Sequence, residues 1–255
     1  MSTFYGQGIF DNPGTGIQTV LGPDVKPRTA LFPIVYFDDF TDGWGYEAGD
    51  ADNTGKFSET ANLGQWLVSL VDGGTDAGHV VACTDAALGG WLTLTTNDAD
   101  NDALHLQLNG EAFKLAADKQ MVFETRMKIT DASDSDWLIG LAATDTDPLT
   151  AGTDGVYFRC ADSTGDIDAV TEKDSSETLT DTGSDLADDT FVVLRAEIDG
   201  TAKVSFYVDG VLKATHATDL PDDQPLTPSV SIRVDNASGG AETMVIDYIY
   251  CAAER

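Results

Sequence analysis

The chain has 255 residues, 42% of them hydrophobic, and its 14 basic and 44 acidic side chains give a net charge of −30. The hydrophobic share supports a packed core and is too high for a disordered chain. The charge disfavours nucleic-acid and anionic-membrane partners, and no apolar run approaches the roughly 20 residues of a bilayer span.

Residues 1–34 read as an extended arm. They hold Gly6, Gly8, Gly14, Gly16 and Gly22 with Pro13, Pro23, Pro27 and Pro33, and the charges cancel, Asp11 and Asp24 against Lys26 and Arg28. The whole −30 therefore belongs to residues 35–255. So much Gly and Pro prevents independent folding, and so little charge does not suit a solvated tail. Phe4, Tyr5, Phe10, Val20 and Leu21 are its apolar anchors, and with Lys26 and Arg28 they are the candidate contacts to a partner. The opening MSTFYGQGIFDNPGTG has no basic n-region and no long apolar h-region, so a cytoplasmic site of synthesis is expected.

Residues 35–255 read as strands. "LHLQLN" aligns Leu104, Leu106 and Leu108, after a polar turn over 96–103. "EAFKLAADKQ" (111–120) suits one short helix, although Phe113 and Leu115 also alternate. "MVFETRMKI" puts Met121, Phe123, Thr125, Met127 and Ile129 on one face and Val122, Glu124, Arg126 and Lys128 on the other. That period of two marks a half-buried antiparallel strand. "FVVLRAEID", "KVSFYVD" and "SVSIRV" repeat it, with Leu194, Ile198, Phe206, Val208 and Ile232 facing inward. "MVIDYIY" sets Met244, Ile246, Tyr248 and Tyr250 opposite Val245, Asp247 and Ile249. Asp209-Gly210 and Asp199-Gly200 each lie between alternating runs, a hairpin signal. The expected fold is all-β, an antiparallel β-sandwich behind the arm.

Candidate chemistry is sparse. Cys83, Cys160 and Cys251 are odd in number and widely spaced, so neither a disulfide framework nor a zinc site is indicated. His79, His105 and His216 lack ligand spacing and read as structural. "DADNTG" (50–55) places Asp50, Asp52 and Gly55 as in a calcium loop but has Thr54 and Ala61 where acids belong. No cofactor is expected beyond a weak structural calcium, and the Asp-rich loops otherwise read as solvated turns. Trp44, Tyr46 and Trp91 are candidates for stacking a sugar ring. Trp66 and Trp137 are also available, and Trp91 is out of phase with Leu92 and Leu94.

Three stretches carry a resemblance of fold. "YFDDF" (36–40), "DDTFVVLRAEIDGTAKVSFYVDGVLKATH" (188–216) and "ETMVIDYIYC" (242–251) resemble strands of concanavalin A-like or laminin-G-like jelly rolls, whose final strand returns beside the first. Glu197-Ile198-Asp199 resembles the opening of the catalytic strand of family-16 glucanases. Two carboxylates about 6.6 Å apart on one strand face suit glycoside hydrolysis on distance alone. That motif needs a third acid, and Thr201 and Ala202 stand in its place, so the pair reads as surface residues with Arg195 neutralising Glu197. The chain is therefore expected not to be an enzyme.

The arm together with "YFDDF", "GGWLTLTTNDADNDALHLQLNGEAF", "FETRMKI", "GLAATDTD" and "DGVYFR" is similar to tailed-phage head proteins that decorate or cement the capsid. That resemblance implies a virion protein on the capsid exterior. Its partners are then the major capsid protein and copies of itself, with a trimer favoured. The alternatives are a lectin-like carbohydrate-binding module and, after it, a family-16-like glycosidase.

Overall fold

The computed structural model describes residues 34–41, 45–47, 60–63, 65–71, 79–86, 89–235 and 240–254. Its strands in chain order are β1 (Ile34–Asp38), β2 (Gly45–Glu47), β3 (Thr60–Leu63), β4 (Trp66–Val71), β5 (Val80–Ala86), β6 (Gly89–Thr95), β7 (Ala103–Leu108), β8 (Gln120–Ile129) and β9 (Ser135–Ala142). There follow β10 (Gly155–Cys160), β11 (Asp166–Lys173), β12 (Ser176–Asp185), β13 (Val192–Asp199), β14 (Lys203–Val208), β15 (Val211–His216), β16 (Thr227–Val234) and β17 (Thr243–Ala253).

They form two antiparallel sheets. Sheet A runs β15-β14-β13-β8-β17-β6-β5-β2, with β1 also paired to β17, and sheet B runs β12-β11-β10-β9-β16-β7-β4-β3. The architecture is an antiparallel jelly-roll sandwich. Phe123, Leu194, Ile198, Phe206, Val208 and Ile232 all lie in the core between the sheets. Trp66 and Trp137 are also wholly buried there, which removes them as sugar platforms. The last strand does return beside the first, with Ile34 opposite Ala253 and Asp38 opposite Ile249.

Local chemistry explains the turns. Val208 pairs with Val211, leaving Asp209 and Gly210 as a two-residue loop. Both have positive φ, 49° and 77°, as the tight hairpin turn matching strand twist requires. Asp209 also accepts a hydrogen bond from Val193 N through Oδ1 at 2.9 Å, which ties the turn to β13.

Two expectations change. Residues 111–120 are not helical, and no helix occurs among the described residues. Phe113 N donates to Leu226 O at 3.1 Å, Leu226 N donates back at 2.6 Å, and Phe113 and Leu115 are buried in the core. Extended backbone buries both alternating side chains and satisfies backbone groups that an isolated short helix leaves to water. The second change is phase in β17. Its register with β8 slips between Ile246 and Tyr248, so Asp247 is an extra residue. Such a bulge inverts the alternation beyond it. Ile249 and Cys251 therefore join Met244 and Ile246 in the core, and Tyr248 and Tyr250 stand on the outer face instead of beside them.

Candidate functional face on sheet A

The bulge assembles a row of side chains across the outside of sheet A. The register runs Tyr207 to Arg195, Arg195 to Glu124, Glu124 to Tyr250 and Tyr250 to Phe37. It crosses β14, β13, β8, β17 and β1. Beside it Tyr248 stands opposite Arg126. The Phe37 ring lies 6.3 Å from Tyr248 and 6.4 Å from Tyr250, within ordinary aromatic contact range. At the end of the row Val35 and Phe37 are 57% and 51% exposed.

The charges on this face are matched. Arg195 Nη2 lies 3.1 Å from Glu197 Oε1, and its guanidinium sits 4.5 Å over the Tyr207 ring. Tyr207 donates its hydroxyl to Glu197 Oε2 at 3.1 Å. Arg126 Nη1 meets Asp247 at 2.7 Å and packs 3.9 Å over the Phe191 ring. Lys128 meets Asp189 at 2.8 Å. Arg195 is buried, whereas the Arg126 and Lys128 pairs are surface pairs that contribute roughly 0–1 kcal/mol each. Their main effect is to hold this face near neutrality on a strongly acidic body. Tyr248 donates to Glu124 Oε1 at 2.8 Å. Burial, the largest influence, holds the Glu124 carboxyl above its usual pKa, and nearby Glu197 adds to it. Burial likewise pushes the Tyr250 hydroxyl up to about 12.

The sequence-predicted residues fall unevenly. Glu197 and Asp199 are on this face, but Glu197 is held by Arg195 and Tyr207. Asp199 stands opposite Lys203 where the strand turns back. The carboxylate near Glu197 is that of Glu124, which is itself held by the Tyr248 hydroxyl. Trp91 is half-buried and off the core, as its phase predicts. Its ring contacts Phe191 at 5.6 Å, so part of its surface is already covered. Tyr46 lies in β2 opposite Val81. Trp44, the calcium-like Asp50, Asp52 and Gly55, and the arm residues Phe4, Tyr5, Phe10, Val20, Leu21, Lys26 and Arg28 lie outside the described residues.

The described acidic loops largely serve their own turns. Asp102 Oδ2 accepts Ala99 N at 3.0 Å, and Asp131 Oδ1 accepts the Ser133 backbone and hydroxyl at 3.1 and 2.8 Å. Asp136 is buried against Arg233. Among the described residues no three metal-ligating side chains converge.

Sequence reasoning located Glu124, Arg126 and Lys128 on an outer face but missed Phe37, Tyr248 and Tyr250. The available signal was Asp247, a turn-favouring acid inside an apolar strand, where a bulge is tolerated.

No protein-family model and no curated protein matches the chain. Among solved structures it is similar to an endo-1,3-β-glucanase from Streptomyces sioyaensis, at 14% identity and TM-score 0.56, covering 88% of this chain and 98% of that one. A glycosyl hydrolase family protein from Mycobacterium fortuitum aligns at 14% identity and TM-score 0.55, covering 87% of this chain and all, 100%, of that one. A protein of unknown function from Shewanella oneidensis aligns at 11% identity and TM-score 0.50, over 88% and 89% of the two chains. At such identities the likeness is one of fold. It corrects one expectation. The chain was expected not to be an enzyme, but its jelly roll is the fold of glycan-cleaving enzymes, so that exclusion does not stand.

Proposed function

We propose that this chain is a tailed-phage head protein that seats on the outside of the capsid through its arm and the outer face of sheet A. The observation that carries the reading is the exposure of Val35 and Phe37 on β1, the strand into which the net-neutral arm leads. Exposed apolar side chains flanked by aromatic rings and paired arginines have the composition of a protein interface. Their surroundings are locally neutral, so a partner meets little of the repulsion the rest of the body exerts. The phage-like stretches of sequence support the same reading and add copies of the chain itself as partners, with a trimer favoured. The test is co-sedimentation of the purified protein with capsids stripped of it. A Val35→Ser/Phe37→Ser double variant and a chain lacking residues 2–30 should each lose at least about tenfold in affinity. Full binding by both variants overturns the reading.

A second reading is glycan recognition. It is supported by the fold shared with the glucanase and by a polar pocket on the opposite sheet. Trp91 supports it less, since Phe191 already occupies part of its ring.

A further inference from the structure

The outer face of sheet B differs from that of sheet A. Its centre is a polar lattice of two rows, Ser69–His105–Ser231 and Leu67–Gln107–Ser229, set by the registers of β4, β7 and β16. Residues 143–154, between β9 and β10, fold back over it. Ala143 N donates to Asp154 O at 2.9 Å and closes the base of this strap. Leu149 pins its middle into a small apolar cluster with Leu138, Tyr157 and Val170. Gln107 fixes the near end: its amide nitrogen donates to Ala143 O at 3.0 Å and Ser229 Oγ at 2.9 Å, and its oxygen accepts Asp145 N at 2.8 Å.

Between strap and sheet lies a cavity of about 340 Å³, whose walls include Ser69, His105, Gln107, Thr144, Asp145 and Thr146. Its size falls within the range of small-molecule sites. Gln107 is saturated by the contacts above. The hydroxyls of Ser69, Thr144 and Thr146, in contrast, make no hydrogen bond among the described residues. His105 is 1% exposed, and its Nε2 has no hydrogen-bond partner. Its Nδ1 is 2.9 Å from Ser231 Oγ, and Asp147 Oδ1 lies 3.5 Å from Nε2. The ring is neutral at pH 7, since burial lowers its pKa to about 4. A carboxylate on the Nε2 side favours the tautomer with the proton on Nε2. Ser231 then donates to Nδ1, and Nε2–H is turned toward the Asp147 carboxylate at 3.5 Å, longer than a full hydrogen bond.

We infer that this cavity binds a neutral, hydroxyl-rich ligand the size of a mono- or disaccharide, with the hydroxyls of Ser69, Thr144 and Thr146 as its hydrogen-bonding partners and His105 as part of its wall. Asp145 and Asp147 beside the cavity disfavour an anion, and no convergent ligand set suits a metal among the described residues. A hydroxyl group is both donor and acceptor, and so can pair with each of the three wall hydroxyls whichever way it is turned. Ser231, His105 and Asp147 are the residue types of an acyl-transfer triad. Ser231, however, is wholly buried and bonds the ring nitrogen facing away from the strap, so the site binds rather than attacks.

The inference rests on the glycan reading, and its test separates the two. The full chain is titrated with glucose, galactose, N-acetylglucosamine and their β-linked dimers up to about 50 mM while the His105 ring nitrogens are followed by NMR. At least one sugar should shift them saturably. Ser69→Ala and Thr146→Val, which remove no hydrogen bond within the described residues, should each weaken that binding about tenfold or more without lowering Tm. Equal affinity in both variants overturns this pocket but leaves the glycan reading. No saturable shift and no bound sugar by calorimetry overturns both. Capsid binding should be unchanged in either variant.

Discussion

Phe158 of β10 and Phe206 of β14 meet edge to face across the interior, with centroids 5.3 Å apart and planes at 89°. One belongs to sheet B and the other to sheet A, so this pair couples the two layers directly. Both side chains are fully buried.

Phe206→Ala is expected to cost about 3–5 kcal/mol, the range for deleting a buried aromatic with partial collapse of the cavity. Urea denaturation followed by tryptophan fluorescence measures it. A loss below about 1 kcal/mol would show that the sheets repack freely around the gap.

Arg195 pairs with Glu197, stacks on Tyr207 and, through its charge, counters the rise that burial gives the Glu124 pKa. Arg195→Met keeps much of the stem packing but removes the charge beside Glu197, so destabilisation on the order of 1–3 kcal/mol is expected. Adding Glu197→Gln should recover a good part of it, since the stranded acid is then neutral. A double-mutant cycle with additive losses would mean that the pair contributes nothing as a pair.

The titration of Glu124 and His105 should act in opposite directions. The Glu124 pKa is raised in the folded chain. Its contribution is therefore fully present below the unfolded pKa and lost as pH rises through the folded one. Glu124→Gln, neutral at every pH, should melt higher than the parent at pH 7, with the gap closing towards pH 4. For His105 the folded pKa falls from 6.5 to about 4. Its contribution is present above pH 6.5 and is lost as pH falls towards 4. The parent should lose Tm over that window more steeply than His105→Gln. Parallel melting curves across pH for parent and variants would contradict both assignments.

Salt should stabilise the chain. Raising ionic strength from about 0.01 M to about 0.15 M shortens the screening length from roughly 30 Å to roughly 8 Å, which relieves self-repulsion among acids carrying a net −30. Scanning calorimetry in sodium chloride should show Tm rising. A flat or falling Tm would mean that the acids are already well paired.

The strands were legible because alternation is local. In β8 each inward apolar residue named from the sequence, Met121, Phe123, Met127 and Ile129, lies in the core. The Asp209-Gly210 turn was legible because two adjacent positive φ values demand those residue types. What remained hidden depends on register between distant strands. His105 and Ser231 are 126 residues apart, and neither shows in sequence that it faces the other. The row from Tyr207 to Phe37 needed five strands to be laid side by side. The phase of Tyr248 and Tyr250 was misread because one inserted residue, Asp247, reverses a period of two while leaving the composition unchanged. Residues 111–120 were open to a helix because the partner that keeps Phe113 extended, Leu226, is far along the chain.

The pairing of β1 with β17 also fixes how the module bears tension. Ile34 and Ala253 sit opposite each other at one end of five register pairs, so a pull between them opens the ladder one rung at a time, at low force. A pull on Ile34 resisted through the far end of β17, at Thr243, loads the same rungs together in shear. A sandwich tethered by its arm and gripped through its body is therefore mechanically strong, whereas one tethered by its arm and dragged from residue 253 peels at its first strand.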